Sequence, residues 1–532
     1  MKNKKGFTLI ELLAVIIILA VIALIATPIV LNVIDNARKS ANKDSAYGLL
    51  DSAKLYYMES LLDENKSLSG NLIDKINVSG SKPDSGELYI NSKGEVALAV
   101  VYDKACYIKE YSDTDLTESD DIENCKVKVS IVYKDSILNG ADPELDESMI
   151  PIVINQDGSV SKADTRLDWY DYTEKRWANV VLVSDESRSK YINAKAGTPI
   201  EVEDIKAYYV WIPRYKYQIF YDGTNTTEKQ LINITFESKD IAKSTGTEKD
   251  SWLTHPAFTF GDKELNGIWV GKFETTGTAS APTVLPYTSK NKQQSLRDQD
   301  VSTQFATSQK IKYGLTSLEA SMLKNSEWGA IAYLTASIYG QGTEEVRSNN
   351  SVYYYTGCAA TKENGSTYFG CENAYNTTIG VLASTTGNIS GIYDMSGGVW
   401  EYVMGVMEDS LGSGVALSGR NNLYNSGFTG NLGCPTCDTR EGNDSSITSI
   451  TGVSFPESKY YDIYPYKTTT GIIGDATTET KGWNKDEAIF VYTGGPWFLR
   501  GGDWGNGTNA GVFAFNMYCG SARGYSFRSV LR

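Results

Sequence analysis

Three sets of residues in this 532-residue chain have types and spacings that can do chemistry. The first is Glu11, the only charge in an apolar run of about 24 residues that follows Gly6; a carboxylate in such surroundings is costly unless it meets a cation, so it marks a pairing site. The second is cysteine. Six of the seven fall into close pairs, Cys106 with Cys125, Cys358 with Cys371 and Cys434 with Cys437, which close as disulfides in an oxidising compartment. Cys434-Pro-Thr-Cys437 also has the spacing of a redox or half-zinc motif, but a single CxxC in a chain with one histidine, His255, favours a loop staple over zinc. Cys519 is left over. The third is the C-terminal tract around Asn506-Gly-Thr-Asn-Ala-Gly-Val-Phe, whose Tyr, Ser, Gly and Asn have the chemistry of an adaptable recognition surface.

The elements that must position these residues follow from periodicity. The run beginning at Phe7 is long enough to cross a bilayer as a helix, whereas a secretory signal has a shorter apolar core, no acid and a cleavage site after it. Beyond Pro28, Ile34, Ala37, Ala41, Leu49, Ala53 and Tyr56 keep helical spacing, which predicts one helix of about 50 residues, roughly 75 Å long. Its amphipathic second half needs a cover. Glu87-Leu-Tyr-Ile, the turn Ser92-Lys-Gly and Val96 to Tyr102 supply one as a hairpin, with Cys106 and Cys125 bracketing an acidic, solvated loop over 113–123. Residues 127–200 read as a β-rich spacer or the start of the next domain, with Asp157-Gly158 as a hairpin turn. From about residue 201 the texture is rich in Gly, Tyr, Trp, Ser and Thr, with one helical stretch at 316–335. His255 reads as a turn or core residue, and Trp211 and Trp269 as core. The length implies about three domains, and a net charge of −15 argues against nucleic-acid binding.

The string Lys5-Gly-Phe-Thr-Leu-Ile-Glu-Leu resembles the N-terminus of type IV prepilins. The resemblance implies cleavage after Gly6 by a prepilin peptidase, methylation of the new amine on Phe7, pairing of Glu11 with the N-terminal amine of a neighbouring subunit, and a helix that Pro28 kinks or melts on assembly. It places the chain in the cytoplasmic membrane as a single-pass protein before assembly and in an extracellular filament or at the cell surface afterwards. It also puts the cysteines outside the cell.

Downstream, Tyr209-Val-Trp-Ile-Pro, Trp269-Val-Gly-Lys-Phe-Glu-Thr-Thr, Asn325-Ser-Glu-Trp-Gly, Gly391-Ile-Tyr-Asp-Met-Ser-Gly-Gly-Val-Trp-Glu-Tyr, Arg500-Gly-Gly-Asp-Trp and Gly524-Tyr-Ser-Phe-Arg resemble the formylglycine-generating-enzyme branch of the C-type lectin fold. The enzymes of that branch hold copper with two cysteines after the Arg-Gly-Gly block. Cys519 alone cannot build such a site, so no catalysis is expected. The branch also implies an optional calcium site, with Asp394 and Glu401 as carboxylates and the carbonyls of Gly397 and Val399 between them; Gly398 replaces the usual asparagine and is expected to loosen the turn. The tract 500–528 resembles variable proteins of diversity-generating retroelements, which rewrite adenine-containing codons. That resemblance selects Asp503, Gly505, Thr508, Ala514, Phe515, Asn516, Tyr518, Cys519, Gly520, Ser521 and Ser526 as variable ligand contacts and leaves Met517 fixed, with Arg500 and Arg528 as framework.

The expected class is α+β: a leader (1–6), a pilin helix (7–60, with 7–30 in the membrane), a small β head (61–126), the β-rich stretch (127–200) and a C-type-lectin-fold domain (201–532). The expected function is a filament subunit that binds an external protein or glycan. Its expected partners are prepilin peptidase, other pilin subunits, the cytoplasmic membrane and no nucleic acid, and it requires no cofactor. The alternatives are a pseudopilin of a secretion or DNA-uptake machine and a surface-tethered enzyme.

Overall fold

The computed structural model describes residues 8–60, 71–78, 81–90, 94–111, 113–127, 142–165, 169–220, 228–246, 251–363, 365–408, 426–428, 431–433, 449–451, 455–492, 495–520 and 524–532. Gly6, Phe7, Cys434, Cys437 and Ser521 lie outside them. The chain is α+β, a long helix followed by β-rich structure, and it divides into two compact units, Met1–Asp135 and Ser136–Arg532.

In the first unit, helix α1 (Leu9–Ser60) runs 52 residues without a break through Pro28. Proline donates no hydrogen bond to the preceding turn, and just before it Thr27 Oγ1 donates to the Ala23 carbonyl at 2.6 Å. Every large apolar side chain from Leu9 to Ile34 is exposed. The buried stripe starts later, at Ala46, Leu49, Leu50 and Ala53, an i, i+3, i+4, i+7 pattern. Ile34, Ala37 and Ala41, expected on that stripe, are exposed, because the sheet reaches only the second half of the helix.

That sheet is an antiparallel meander of β1 (Ser85–Ile90), β2 (Val96–Tyr102), β3 (Ala105–Lys109) and β4 (Thr117–Ser119). The predicted hairpin is present in the register Ile90 to Val96, and all of β2 is buried. The Tyr107 hydroxyl donates to the Lys39 carbonyl at 3.1 Å, and Lys39 Nζ lies 3.0 Å from Glu118. Cys106 and Cys125 are bonded across the largely exposed acidic segment.

In the second unit, β5 (Ile150–Ile154) and β6 (Val160–Lys162) form the hairpin around Asp157-Gly158, with Gly158 at φ +83°. They do not make a spacer. With β7 (Asn179–Val183) and β8 (Pro199–Ile200) they join β9 (Ile205–Pro213), β10 (Gly267–Gly271), β11 (Ala320–Met322) and a last strand at Ser529–Leu531 in one sheet of eight described strands. The 142–200 stretch is thus the first part of the larger unit: β7 and β9 pair over 179–183 and 205–210, and backbone pairing outweighs proximity in sequence.

Trp211 and Trp269 pack against each other in the core as expected, tilted at 54° with centroids 5.1 Å apart. Helix α2 covers only Asn325–Thr335, shorter than the predicted 316–335. Its start is set by Glu327, which accepts from the Lys324 amide at 2.7 Å, while 320–322 are drawn into the sheet as β11. All eleven residues of α2 are buried, so its apolar spacing carried no polar face to mark its beginning.

A smaller sheet packs further along the same unit. Its strands are β12 (Glu401–Met407), β13 (Asp462–Tyr464), β14 (Trp497–Arg500), β15 (Phe515–Tyr518) and β16 (Ser526–Phe527), and β17 (Ser529–Leu531) is the strand contributed to the large sheet.

Closing 19 residues of sequence into a loop removes conformations from the unfolded chain, so replacing both Cys106 and Cys125 by serine should lower stability by about 3 kcal/mol. Urea unfolding of the oxidised parent and the double variant in detergent checks this, and equal midpoints would contradict it.

Candidate functional site

The Asp394–Glu401 turn is tight rather than loose. Asp394, Gly397 and Gly398 all have positive φ, at +61°, +72° and +76°. The Gly397 amide donates to the Gly501 carbonyl at 3.0 Å and the Gly398 amide to the Asn349 carbonyl at 2.8 Å. A Cβ on Gly397 would lie 2.4 Å from that Asn349 oxygen, so only glycine fits there. Gly398 in place of asparagine therefore does not open the turn.

The two acids end up in the interior, beside a third that sequence reasoning did not single out. Asp394, Glu401, Glu274 and Arg528 are each at most 1% exposed. Glu401 takes a two-pronged ion pair from Arg528, Nη2 at 2.5 Å and Nε at 3.1 Å, and Arg528 Nη1 donates to the Gly271 carbonyl at 2.9 Å. Asp394 Oδ1 accepts from Asn349 Nδ2 at 2.8 Å, and both its oxygens accept from the Gly357 amide at 2.9 Å. Glu274 accepts from the Val399 amide at 3.0 Å and from the Ser295 hydroxyl.

Three carboxylates around one guanidinium leave an excess of buried negative charge. Burial pushes the carboxyl of Glu274 well above its ordinary value, and Asp394 and Glu401 nearby push it further. Burial likewise raises Asp394 and brings Glu401 up to about 7, more than Arg528 brings it down. The expected calcium ligands thus already have protein donors on their carboxylate oxygens. Among the described residues no group of three or more His, Cys, Asp or Glu side chains is arranged to hold a metal. A calcium ion on Glu401 would have to displace Arg528. The clue to the third acid lay in Phe273-Glu274, inside one of the resembling blocks, but the spacing of 120 residues and more to its neighbours gave no sign of the contact.

The C-terminal tract is not a single exposed face. Gly505 and Thr508 are exposed, and Asp503, Asn516, Tyr518 and Cys519 are half-buried. Ala514, Phe515, Gly520 and Ser526 are buried, which withdraws them from direct contact with an outside ligand; Phe515 lies on β15, which pairs with β14, and Ser526 on β16, which pairs with β12. Asn516 Nδ2 donates to Glu487 at 2.7 Å. Cys519 stands outside both described disulfides. Arg500 is fully buried, with its guanidinium over Trp328 and Phe515 at 5.6 and 5.7 Å, consistent with a framework role. His255 is buried and caps the turn at 256–258 by accepting from the Ala257 amide; burial brings its pKa down to about 3, so it stays neutral. Cys358 and Cys371 are bonded.

At the N-terminus, Thr8 and Glu11 close a reciprocal cap on α1. The Thr8 amide and hydroxyl both donate to Glu11 Oε2 at 2.9 Å, and the Glu11 amide donates to Thr8 Oγ1 at 3.3 Å. This Thr-x-x-Glu pattern was readable in the sequence. Residues 1–27 match the family described as the prokaryotic N-terminal methylation motif. The chain carries a type IV prepilin N-terminus. Helix α1 is long and apolar enough in its first half to cross a membrane, and with the motif it fits a membrane-anchored pilin or pseudopilin subunit; the motif itself implies a prepilin peptidase and other pilin subunits as partners. No curated protein matches the chain.

Two outcomes are expected. Arg528→Ala leaves Glu401 buried without its cation and should cost about 3–5 kcal/mol in urea unfolding. A carboxyl raised in the folded state stabilises fully below its ordinary value of 4.5, and that contribution is lost as pH rises through the folded value, about 7 for Glu401. Stability from this cluster should therefore fall between pH 4.5 and 7, and Glu274→Gln should flatten the slope; parallel pH profiles for parent and variant would contradict the assignment.

Proposed function

We propose that the protein is a filament-forming, pilin-like subunit whose larger unit meets an external ligand, a protein or a glycan, at the cell surface. The carrying observation is α1 itself. One unbroken helix exposes every large apolar side chain over residues 9–34 and buries Ala46, Leu49, Leu50 and Ala53 against its own sheet, so the first half is built for lipid and then for neighbouring helices, the second for a head. In this reading the peptidase cuts after Gly6 and methylates Phe7. The Glu11 carboxylate, closed on Thr8 in the isolated chain, exchanges that cap for the amine of the next subunit.

The larger unit, several times the size of the head, makes dense packing of identical copies awkward, which favours a minor or tip subunit. Its resemblance to the C-type lectin fold supports recognition rather than catalysis, since its C-terminal tract holds a single thiol. Within that tract, Asp503, Gly505, Thr508, Asn516, Tyr518 and Cys519 are the positions where retroelement diversification would change a surface. Calcium at Asp394 and Glu401 is optional in this reading, given the protein donors they already have.

Expression with a prepilin peptidase should yield a mature chain beginning at methylated Phe7 in mass spectrometry. Gly6→Glu should leave the leader attached, while Glu11→Ala should be processed but fail to enter filaments. Processed, fully assembled Glu11→Ala would overturn the assembly role, and gold labelling along whole filaments would overturn the tip position.

A further inference from the structure

The larger unit carries a groove of about 940 Å³ whose lining includes neither the Asp394–Glu401 turn nor the 500–528 tract. Its lining includes the apolar Ile200, Ile205 and Leu285 and the rings of Tyr208 and Tyr375. Asn291, Gln293 and Asn376 bring side-chain amides to the lining, each able to donate and accept hydrogen bonds. Three acids, Asp157, Glu201 and Glu203, stand against two lysines, Lys206 and Lys290, so the lining selects for neither a polyanion nor a polycation.

From the groove a row of rings leads out to the surface. Tyr287, in the lining, packs on Tyr355 at 4.6 Å; Tyr355 meets Tyr353 at 5.7 Å, and Tyr353 meets Phe369 at 6.2 Å. Tyr353 is 45% exposed and Phe369 is 75% exposed, a large apolar ring left in water without an internal packing reason. The segment carrying Phe369 is anchored on either side by the Cys358–Cys371 disulfide, so the outer ring is held on a short closed loop.

We infer that this groove and its row of rings form a binding site for a neutral oligosaccharide. Pyranose units have apolar faces that lie against exposed aromatic rings and a rim of hydroxyls that pairs with side-chain amides; Tyr353 and Phe369, packed edge to face at 73°, present such rings at the surface. The near balance of charge fits a neutral chain that runs from the groove out over Tyr353 and Phe369. The inference rests on the reading that the larger unit meets a ligand outside the cell, but it uses a surface different from the 500–528 tract.

The test is titration calorimetry on the detergent-solubilised full chain with two probes, the β-1,4-linked tetrasaccharides of glucose and of N-acetylglucosamine. Binding of at least one is expected. The double variant Tyr353→Ala/Phe369→Ala, at two exposed positions that leave the core intact, should weaken it about tenfold or more. Asn376→Ala at the groove should weaken it as well, with both variants keeping the parent's circular dichroism spectrum. Binding of neither sugar, or unchanged affinity in the ring variant, overturns the proposal. Sugar binding lost in Thr508→Ala but kept in the ring variant would also overturn it, while leaving the broader reading of an external ligand in place.

Discussion

Arg528 is the residue on which the larger unit turns. It lies between β16, which pairs with β12 in the small sheet, and β17, which pairs with β10 and β11 in the large one. Its guanidinium holds both: two bonds to Glu401 at the start of β12 and one to the Gly271 carbonyl at the end of β10. A buried arginine satisfied on both sides is stable only when its partners are placed for it, so this contact requires the Asp394–Glu401 turn, with its left-handed glycines, to be in position. Glu327 and Arg532 repeat the device at the start of α2, where Nε and Nη2 reach the carboxylate at 2.5 and 2.6 Å.

The same arrangement accounts for the polar interior around the turn. Glu274 and Asp394 do not meet the guanidinium as Glu401 does, and each is held by amides and a neighbouring side chain instead. Such hydrogen bonds let buried carboxyls persist without a direct counter-ion and offset part of the upward pKa shift that burial imposes. A network of this kind ties segments near residues 274, 349, 357, 394 and 528 into one rigid base, and the aromatic row from Tyr287 to Phe369 grows from the loops beside it. Binding surfaces carried by loops need such a base.

In the first unit one helix serves two solvents. The change from exposed to buried apolar residues along α1 comes with the arrival of the β1–β4 sheet, and no change of backbone marks it. The reciprocal Thr8–Glu11 cap keeps a carboxylate satisfied at the helix start.

The features that the sequence by itself determined are those written in short spacings: the apolar run with Glu11, the helix to Ser60, the hairpins at 85–102 and 150–162, and the two described disulfides, whose partners are at most 19 residues apart. Each depends on a few neighbouring residues and needs no knowledge of topology. What only the tertiary structure decided lies at long range. The strands of 142–200 belong to the large sheet, Ala514, Phe515 and Ser526 are buried, Glu274 joins Asp394 and Glu401, and Arg528 meets Glu401. The contacts of Glu274 with Val399 and of Arg528 with Glu401 span 100 residues or more, and no local periodicity encodes which buried charge will face which, because that follows from the order in which strands pair and from the need of every buried polar group for a partner.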